Sequence, residues 1–372
     1  MTTGVGTRVD EIAAGIAALG PLDAGAMAAA QADLDGLTKP PGSLGRLEEL
    51  AVTLAGITGQ ARPSMARRAI VVAAADHGVA RRGVSAYPAE VTAQMVANFV
   101  RGGAAINVLA AGVDASVTVV DVGVASTIPE VPPEAAHGGR LVRARIRHGT
   151  ADMTEGPAMA RAEAVAAIDA GLAVVEELGA QGLDLVGIGE MGIGNTTAAA
   201  AITAVLTQAP PATVTGHGTG IDDAARRRKV EVIEAAIARN LPDRSDPIGV
   251  LAAVGGLEIA ALVGVILGAT AASVPVVLDG FITGAAALLA DALAPGTSPR
   301  LIAAHRSVEP GHAIVLDRLG LRPLLDLELR LGEGTGAALA FHLVDAAVRV
   351  RDEMATFASA AVSGRLDPEV RP

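Results

Sequence analysis

Three glycine-flanked blocks carry side chains suited to acid–base or anion-binding chemistry. The first is Gly187-Ile188-Gly189-Glu190-Met191-Gly192-Ile193-Gly194-Asn195-Thr196-Thr197, which runs into Ala198-Ala199-Ala200-Ala201, a strong helix former. Glycines there let backbone N–H groups approach an anion, and a helix N-terminus favours negative charge. The spacing matches neither a Walker A loop nor the dinucleotide fingerprint. A plain turn with Asn195 or Thr196 as N-cap fits the same letters, so an anion site and a turn both stand.

The second block is Val214-Thr215-Gly216-His217-Gly218-Thr219-Gly220-Ile221-Asp222-Asp223. Paired aspartates invite comparison with metal–pyrophosphate sites, but an N-cap and first helical turn attract acids anyway. The capping role is the better reading. Lys229 follows about two turns later, as a solvated charge or as a phosphate partner. The third block is Leu329-Arg330-Leu331-Gly332-Glu333-Gly334-Thr335-Gly336. Glu333 has glycines on both sides and little side-chain packing to screen it. It reads as a general base or as a helix cap, a role Thr335 fills equally well.

A fourth stretch, Asp76-His77-Gly78-Val79, precedes Gly83-Val84-Ser85-Ala86-Tyr87-Pro88 and a helix over 89–100. Tyr87 is the one tyrosine of the chain; it precedes Pro88, a suitable first helical residue, and could face a planar ring. Gln94 on the same helix is a partner for a ring nitrogen or simply part of a polar face. Asp76 and His77 have no second ligand at metal spacing, so no metal site is expected.

These turns need a scaffold that brings them together. From about residue 66, short apolar runs alternate with longer Ala-rich stretches, the signature of a parallel α/β sheet. The runs predict strands over 69–75, 116–122, 183–188, 274–278 and 300–304, with Asp76-His77-Gly78, Asp121-Val122-Gly123, Gly189-Glu190, Asp279-Gly280 and His305-Arg306 as turns. Ligands of open α/β sheets bind beyond the carboxyl ends of the strands. The first sixty-odd residues read as two helices broken by Lys39-Pro40-Pro41-Gly42-Ser43, and 335–361 as a long amphipathic helix. The expected architecture is a Rossmann-like parallel sheet with flanking helices, residues 66–334, plus a small helical domain from residues 1–65 with 335–372. Residues 129–139 read as a loop.

Composition narrows the partners. Aromatics are 1% of the 372 residues, against 51% hydrophobic residues and 44 glycines, so close backbone approach must replace bulky side chains in the core. A net charge of −11 argues against nucleic acid, whose phosphates require clustered Lys and Arg. With no cysteine, thiolate and iron–sulfur chemistry are excluded, and a cytoplasmic location is expected. No signal peptide is evident. Residues 260–278 carry no charge and place Gly264 and Gly268 at the spacing of a membrane dimer motif. A buried helix followed by a strand starting at Pro275 explains the same letters, and no membrane partner is expected.

Taken together, the chain resembles the nicotinate-nucleotide:dimethylbenzimidazole phosphoribosyltransferases of the cobalamin pathway. The resemblance rests on LTKPPGSLGRLE from Leu37, DHGV from Asp76, GVSAYPAEVTAQMVANFVRGGAAINVLA from Gly83, GIGEMGIGNTT from Gly187, VTGHGTGID from Val214, VPVVLDGFITGAAALLA from Val274, HRSVEPGH from His305 and LRLGEGTGAALA from Leu329. These stretches span nearly the whole chain. The resemblance implies Glu333 as general base, with Glu190 and Lys229 in substrate binding. It implies a base pocket from Tyr87, Gln94, Met191, Leu331 and Gly332, and phosphate against Gly192, Gly194, Asn195 and Thr196. It further implies a homodimer whose small domain, with residues 39–45, helps cover the partner's site; no cofactor is expected.

The chemistry of that reaction suits the residues. Nicotinate leaves a cationic pyridinium linkage as a neutral ring nitrogen, so no general acid is needed. Glycosidases differ in needing two carboxylates. The acceptor must lose one N–H proton, for which a single carboxylate within hydrogen-bond reach is enough. Attack opposite nicotinate inverts C1′ and gives the α-riboside. A paralogue with the same donor and another acceptor (another benzimidazole, a purine or a phenol) and a non-catalytic nucleotide-binding module are the alternatives.

Overall fold

Three helices precede the first strand: α1 (Val5–Leu19), α2 (Ala24–Asp35) and α3 (Arg46–Thr58). The sequence predicts two. The extra break falls at Gly20-Pro21, where Gly20 takes a φ of +68° and Pro21 has no N–H to continue a helix. Asp23 then starts α2 by accepting from the Ala26 amide at 2.8 Å. The Lys39–Gly45 turn is closed by Glu48, whose buried carboxylate meets Lys39 Nζ at 2.8 Å and the Leu44 amide at 2.9 Å. The structure is a computed structural model that describes residues 5–130, 137–218 and 220–363.

The α/β alternation begins with β1 (Arg68–Ala75), α4 (Val91–Arg101), α5 (Ala105–Ala111), β2 (Ala115–Gly123) and β3 (Arg140–Arg143). It continues through α6 (Arg161–Ala180), β4 (Leu185–Met191), α7 (Asn195–Thr207), α8 (Pro211–Val214), α9 (Asp223–Asn240), α10 (Pro247–Val254) and α11 (Leu257–Ala271). It ends with β5 (Val276–Leu278), α12 (Phe281–Leu293), β6 (Leu301–Ala303), α13 (Pro310–Leu319) and α14 (Thr335–Glu353). The strands form one six-stranded sheet in the order β3-β2-β1-β4-β5-β6, every pairing parallel. The order reverses between β1 and β4, the switch point at which such sheets open a crevice at their carboxyl edge.

Three sheet assignments differ from the sequence expectation. β4 runs on to Met191, pairing with β1 as far as Ala74, and β2 includes Gly123. Gly189 and Gly123 read as turns in sequence, yet both are strand residues here, with the Glu333–Gly334 backbone pressed on Gly189 and Leu257 on Gly123. The sequence does not predict the edge strand β3, Arg140–Arg143: with one strand partner and half its residues exposed, it needs no apolar run. It closes the region read as a 129–139 loop, of which 131–136 lie outside the described residues.

The inner strands bury both faces, as parallel strands must. Along β1, Ile70, Val72 and Ala74 join one apolar cluster with Phe341 and Val344 of α14, while Val71, Ala73 and Ala75 join the other with α6, α7, α11 and α12. Helix α2 packs on α3, which packs on α14, whereas α1 lies against α6 and α11 on the opposite layer, with Val9 and Ile16 in the larger cluster. The N-terminal helices are thus split between the two layers. Helices α6 and α11 touch backbone to backbone: a Cβ on Gly264 would collide with the Ile168 carbonyl, and one on Gly171 with that of Ala261. The small-residue spacing at Gly264 and Gly268 therefore serves helix packing in the interior. No single helix among the described residues is long and apolar enough to cross a membrane, and α11 ends at Ala271, before β5.

Candidate active site

A cavity of ≈ 300 Å³ opens at the carboxyl ends of β4, β5 and β6. Its wall combines all three glycine blocks: Glu190, Met191, Gly192, Asn195 and Thr196 from the first, Gly218 from the second, and Leu331, Gly332 and Glu333 from the third. Tyr87 stands at the rim.

The first block is held by its neighbours. A Cβ on Gly192 would come within 2.5 Å of the Ala75 carbonyl, and the Ile193 amide donates to Thr92 Oγ1 at 3.2 Å. Gly194, at φ +97°, is the N-cap of α7 and offers no side chain to it. The helix therefore presents its N-terminal end to the cavity with Asn195 and Thr196 at the wall. Asn195 Nδ2 instead donates to Glu190 Oε2. Beneath the loop, His77 packs against Gly192 and Gly194 and meets Glu258 Oε1 at 2.7 Å, both side chains buried. Burial opposes a charge on His77, but Glu258 outweighs it and holds the imidazole above its usual range.

Lys229 comes from α9, which Asp222 caps by accepting the Ala225 amide at 2.8 Å. The ammonium is fully buried and donates to Thr196 Oγ1 at 2.6 Å. It stands behind the cavity wall, and a ligand at Thr196 meets its charge through one hydroxyl. Burial pulls Lys229 down to about 8, against the attraction of Glu309.

Glu333 sits in a turn of three successive left-handed residues, Gly332 at φ +85°, Glu333 at +65° and Gly334 at +90°. A non-glycine residue there is uncommon and costs energy that the surroundings must supply. Asp279, at the end of β5, supplies it: Oδ2 accepts the Gly334 amide at 3.0 Å and Oδ1 the Gly336 amide at 2.7 Å. The first turn of α14 is thus satisfied by a distant strand, and Glu333 is released from capping its own helix. Its carboxylate accepts the backbone amide of Ile106, at the start of α5, and Oε2 has no partner among the described residues. Burial pushes Glu333 up to about 7. Burial also pushes Glu190 up to about 8, against the hydrogen bond from Asn195 and with the repulsion of Glu258, Asp279 and Glu333. The arrangement offers a buried carboxylate that gains and loses a proton near neutrality, facing a helix N-terminus at the other end of the same cavity.

Of the expected site residues, Gly194, Lys229 and Gln94 do not line the cavity, and Gln94 points away from it. Gln94 is exposed on α4, whereas Val91 and Met95, one helical turn apart, supply that helix's side of the wall. Residues given no site role from the sequence also line the cavity: Asp279, His305, Glu309 and Arg330. The acids and His305 each stand just past a strand or at a helix start, a positional signal available in sequence, but only the fold brings the ends of β5 and β6 beside β4.

Comparison with known proteins gives the class first. Residues 19–362 match the family described as phosphoribosyltransferase. Among curated relatives, the nicotinate-nucleotide–dimethylbenzimidazole phosphoribosyltransferase of Chloroflexus aggregans is 59% identical over 345 residues, covering 93% of this chain and 96% of that one. The protein of the same name from Salinispora tropica is 56% identical over 356 residues, covering 93% and 98%. The crystal structure of CobT from Thermus thermophilus superposes with a TM-score of 0.86 at 50% identity, covering 91% of this chain and 99% of that one. The chain belongs to the nicotinate-nucleotide–dimethylbenzimidazole phosphoribosyltransferase family.

Proposed function

We propose that this chain transfers the phosphoribosyl group of nicotinate mononucleotide to 5,6-dimethylbenzimidazole, giving α-ribazole 5′-phosphate and nicotinate with inversion at C1′. The observation that carries the reading is the placement of Glu333, a carboxylate brought to about 7 and lining the cavity that ends at the α7 N-terminus. A base of that strength takes the acceptor's N–H proton at neutral pH, while the helix end and the Lys229-backed Thr196 grip the 5′-phosphate. Glu190, mostly protonated below about 8, gives an anionic donor a hydrogen-bond donor where a second negative charge would repel it. Met191, Leu331 and Tyr87, with Val91 and Met95, form the apolar side against which a planar base lies. The rest of the catalysis is orientation.

Tyr87 and Leu331 leave apolar surface exposed at the cavity mouth, and a homodimer whose partner covers that mouth is part of the proposal, as is a cytoplasmic location. The test is incubation with nicotinate mononucleotide and a panel of benzimidazoles, purines and phenols, with products identified by mass spectrometry. Nicotinate release coupled to α-riboside formation is expected, with dimethylbenzimidazole preferred. No riboside with any base would end the reading.

A further inference from the structure

Glu309 is the N-cap residue of α13, yet it makes no side-chain cap to its own helix. Its side chain is buried at the cavity wall, where Oε1 accepts the Gly218 amide at 2.7 Å and Oε2 has no partner among the described residues. A carboxylate has about four lone-pair sites, and a buried one left largely unsatisfied costs stability unless something else supplies donors. The position is built rather than incidental. Gly216 must lack a side chain because a Cβ there would collide with Oε2. The Glu309 amide leans on Ser307 Oγ at 3.3 Å, and the Ser307 amide donates to His312 Nδ1 at 3.0 Å. Burial drives His312 down to about 3, so it stays a neutral acceptor for that amide at working pH.

The charge pattern says what the carboxylate can face. Glu309 lies close enough to Lys229 to act on it electrostatically, so it borders the subsite at Thr196 and Gly218. A phosphate or a nicotinate carboxylate would be repelled by it. Neutral hydroxyl donors next to a phosphate would not, and a carboxylate on a sugar diol is an established way of reading a ribose. We infer that Glu309 binds a ribose hydroxyl of the phosphoribosyl donor and makes the enzyme selective for ribose over deoxyribose. This rests on the donor assigned above.

The test compares nicotinate mononucleotide with its 2′-deoxy and 3′-deoxy analogues, in the wild type, Glu309→Ala and Glu309→Gln. The wild type should favour the ribose donor over at least one deoxy analogue by roughly 10- to 100-fold in kcat/KM, the worth of a hydrogen bond to a charged group. In Glu309→Ala that preference should fall to near unity, while the KM for the acceptor base is unchanged. Glu309→Gln, which can still accept from Gly218, should keep the fold and part of the preference. Calorimetric binding of the three donors runs alongside. Selective binding without turnover would support Glu309 while refuting the assigned reaction. Equal losses on all three donors in the variants, or a wild type indifferent to the hydroxyls, would overturn the inference.

Discussion

Glu190 Oε1 fills the space that a side chain on Gly332 would need. One of these residues lies at the end of β4 and the other begins the Glu333 turn, so the two halves of the cavity are keyed together at this point. The backbone of residue 332 is also left-handed, at φ +85°. Gly332→Ala should therefore push Glu190 and Glu333 apart and lower kcat/KM by at least about tenfold, alongside a stability loss of about 1–3 kcal/mol for the strained backbone. Steady-state kinetics with thermal unfolding checks both; an alanine variant with normal turnover would show that the two carboxylates need not be registered.

Glu333→Gln keeps the shape and the Ile106 contact but removes the base. Turnover should fall at least ~100-fold, the low end for general-base catalysis, with little change in KM for nicotinate mononucleotide. Near-normal kcat in that variant would remove the assigned mechanism.

The pH dependence follows from the same group. Only ionised Glu333 accepts a proton, so kcat should rise with pH through about 7 and lose one decade per unit below it. In Glu333→Gln this acid limb should vanish from the residual rate.

Stability should run the other way. Burial raises Glu190 from 4.5 to about 8, so between those values the folded chain holds a proton that the unfolded chain has released. Unfolding free energy then falls as pH rises across that window. Glu190→Gln should raise the melting temperature at pH 8 more than at pH 5. Equal shifts at both pH values, seen by calorimetry, would mean the carboxyl ionises normally in the fold.

Asp279→Asn tests the support of the turn. The change weakens two charge-assisted bonds to Gly334 and Gly336, each worth about 1.5–3 kcal/mol. It should lower both stability and kcat, through a misplaced Glu333. Intact kcat would show that the turn holds itself.

Much of this protein is written locally. Alternating apolar runs and Ala-rich stretches specify a parallel sheet, because a strand buried on both faces needs a continuous apolar run and a helix needs good formers. Asp222 capping α9 is legible for the same reason: an N-cap acts on amides two or three residues away. So are the three glycine blocks, since glycine before a helix marks backbone meant to approach something. Strand ends are not. Gly189 and Gly123 look like turns until Glu333 and Leu257 are seen packed on them, and β3 carries no pattern of its own.

The site divides along the same line. That Glu333 is a special carboxylate can be read from its glycine neighbours, but its strength cannot. A value near 7 comes from burial at the edge of β4, and its freedom from capping comes from Asp279, 54 positions earlier in the chain. Gln94 and Met95 are adjacent letters, and only the rotation of α4 decides that Met95 meets the cavity. The order of residues specifies which chemical groups stand ready at the strand ends, because backbone conformation there answers to near neighbours. Which of those groups share one dry space is fixed by the folded arrangement, because desolvation and mutual charge depend on partners that the chain brings from far away.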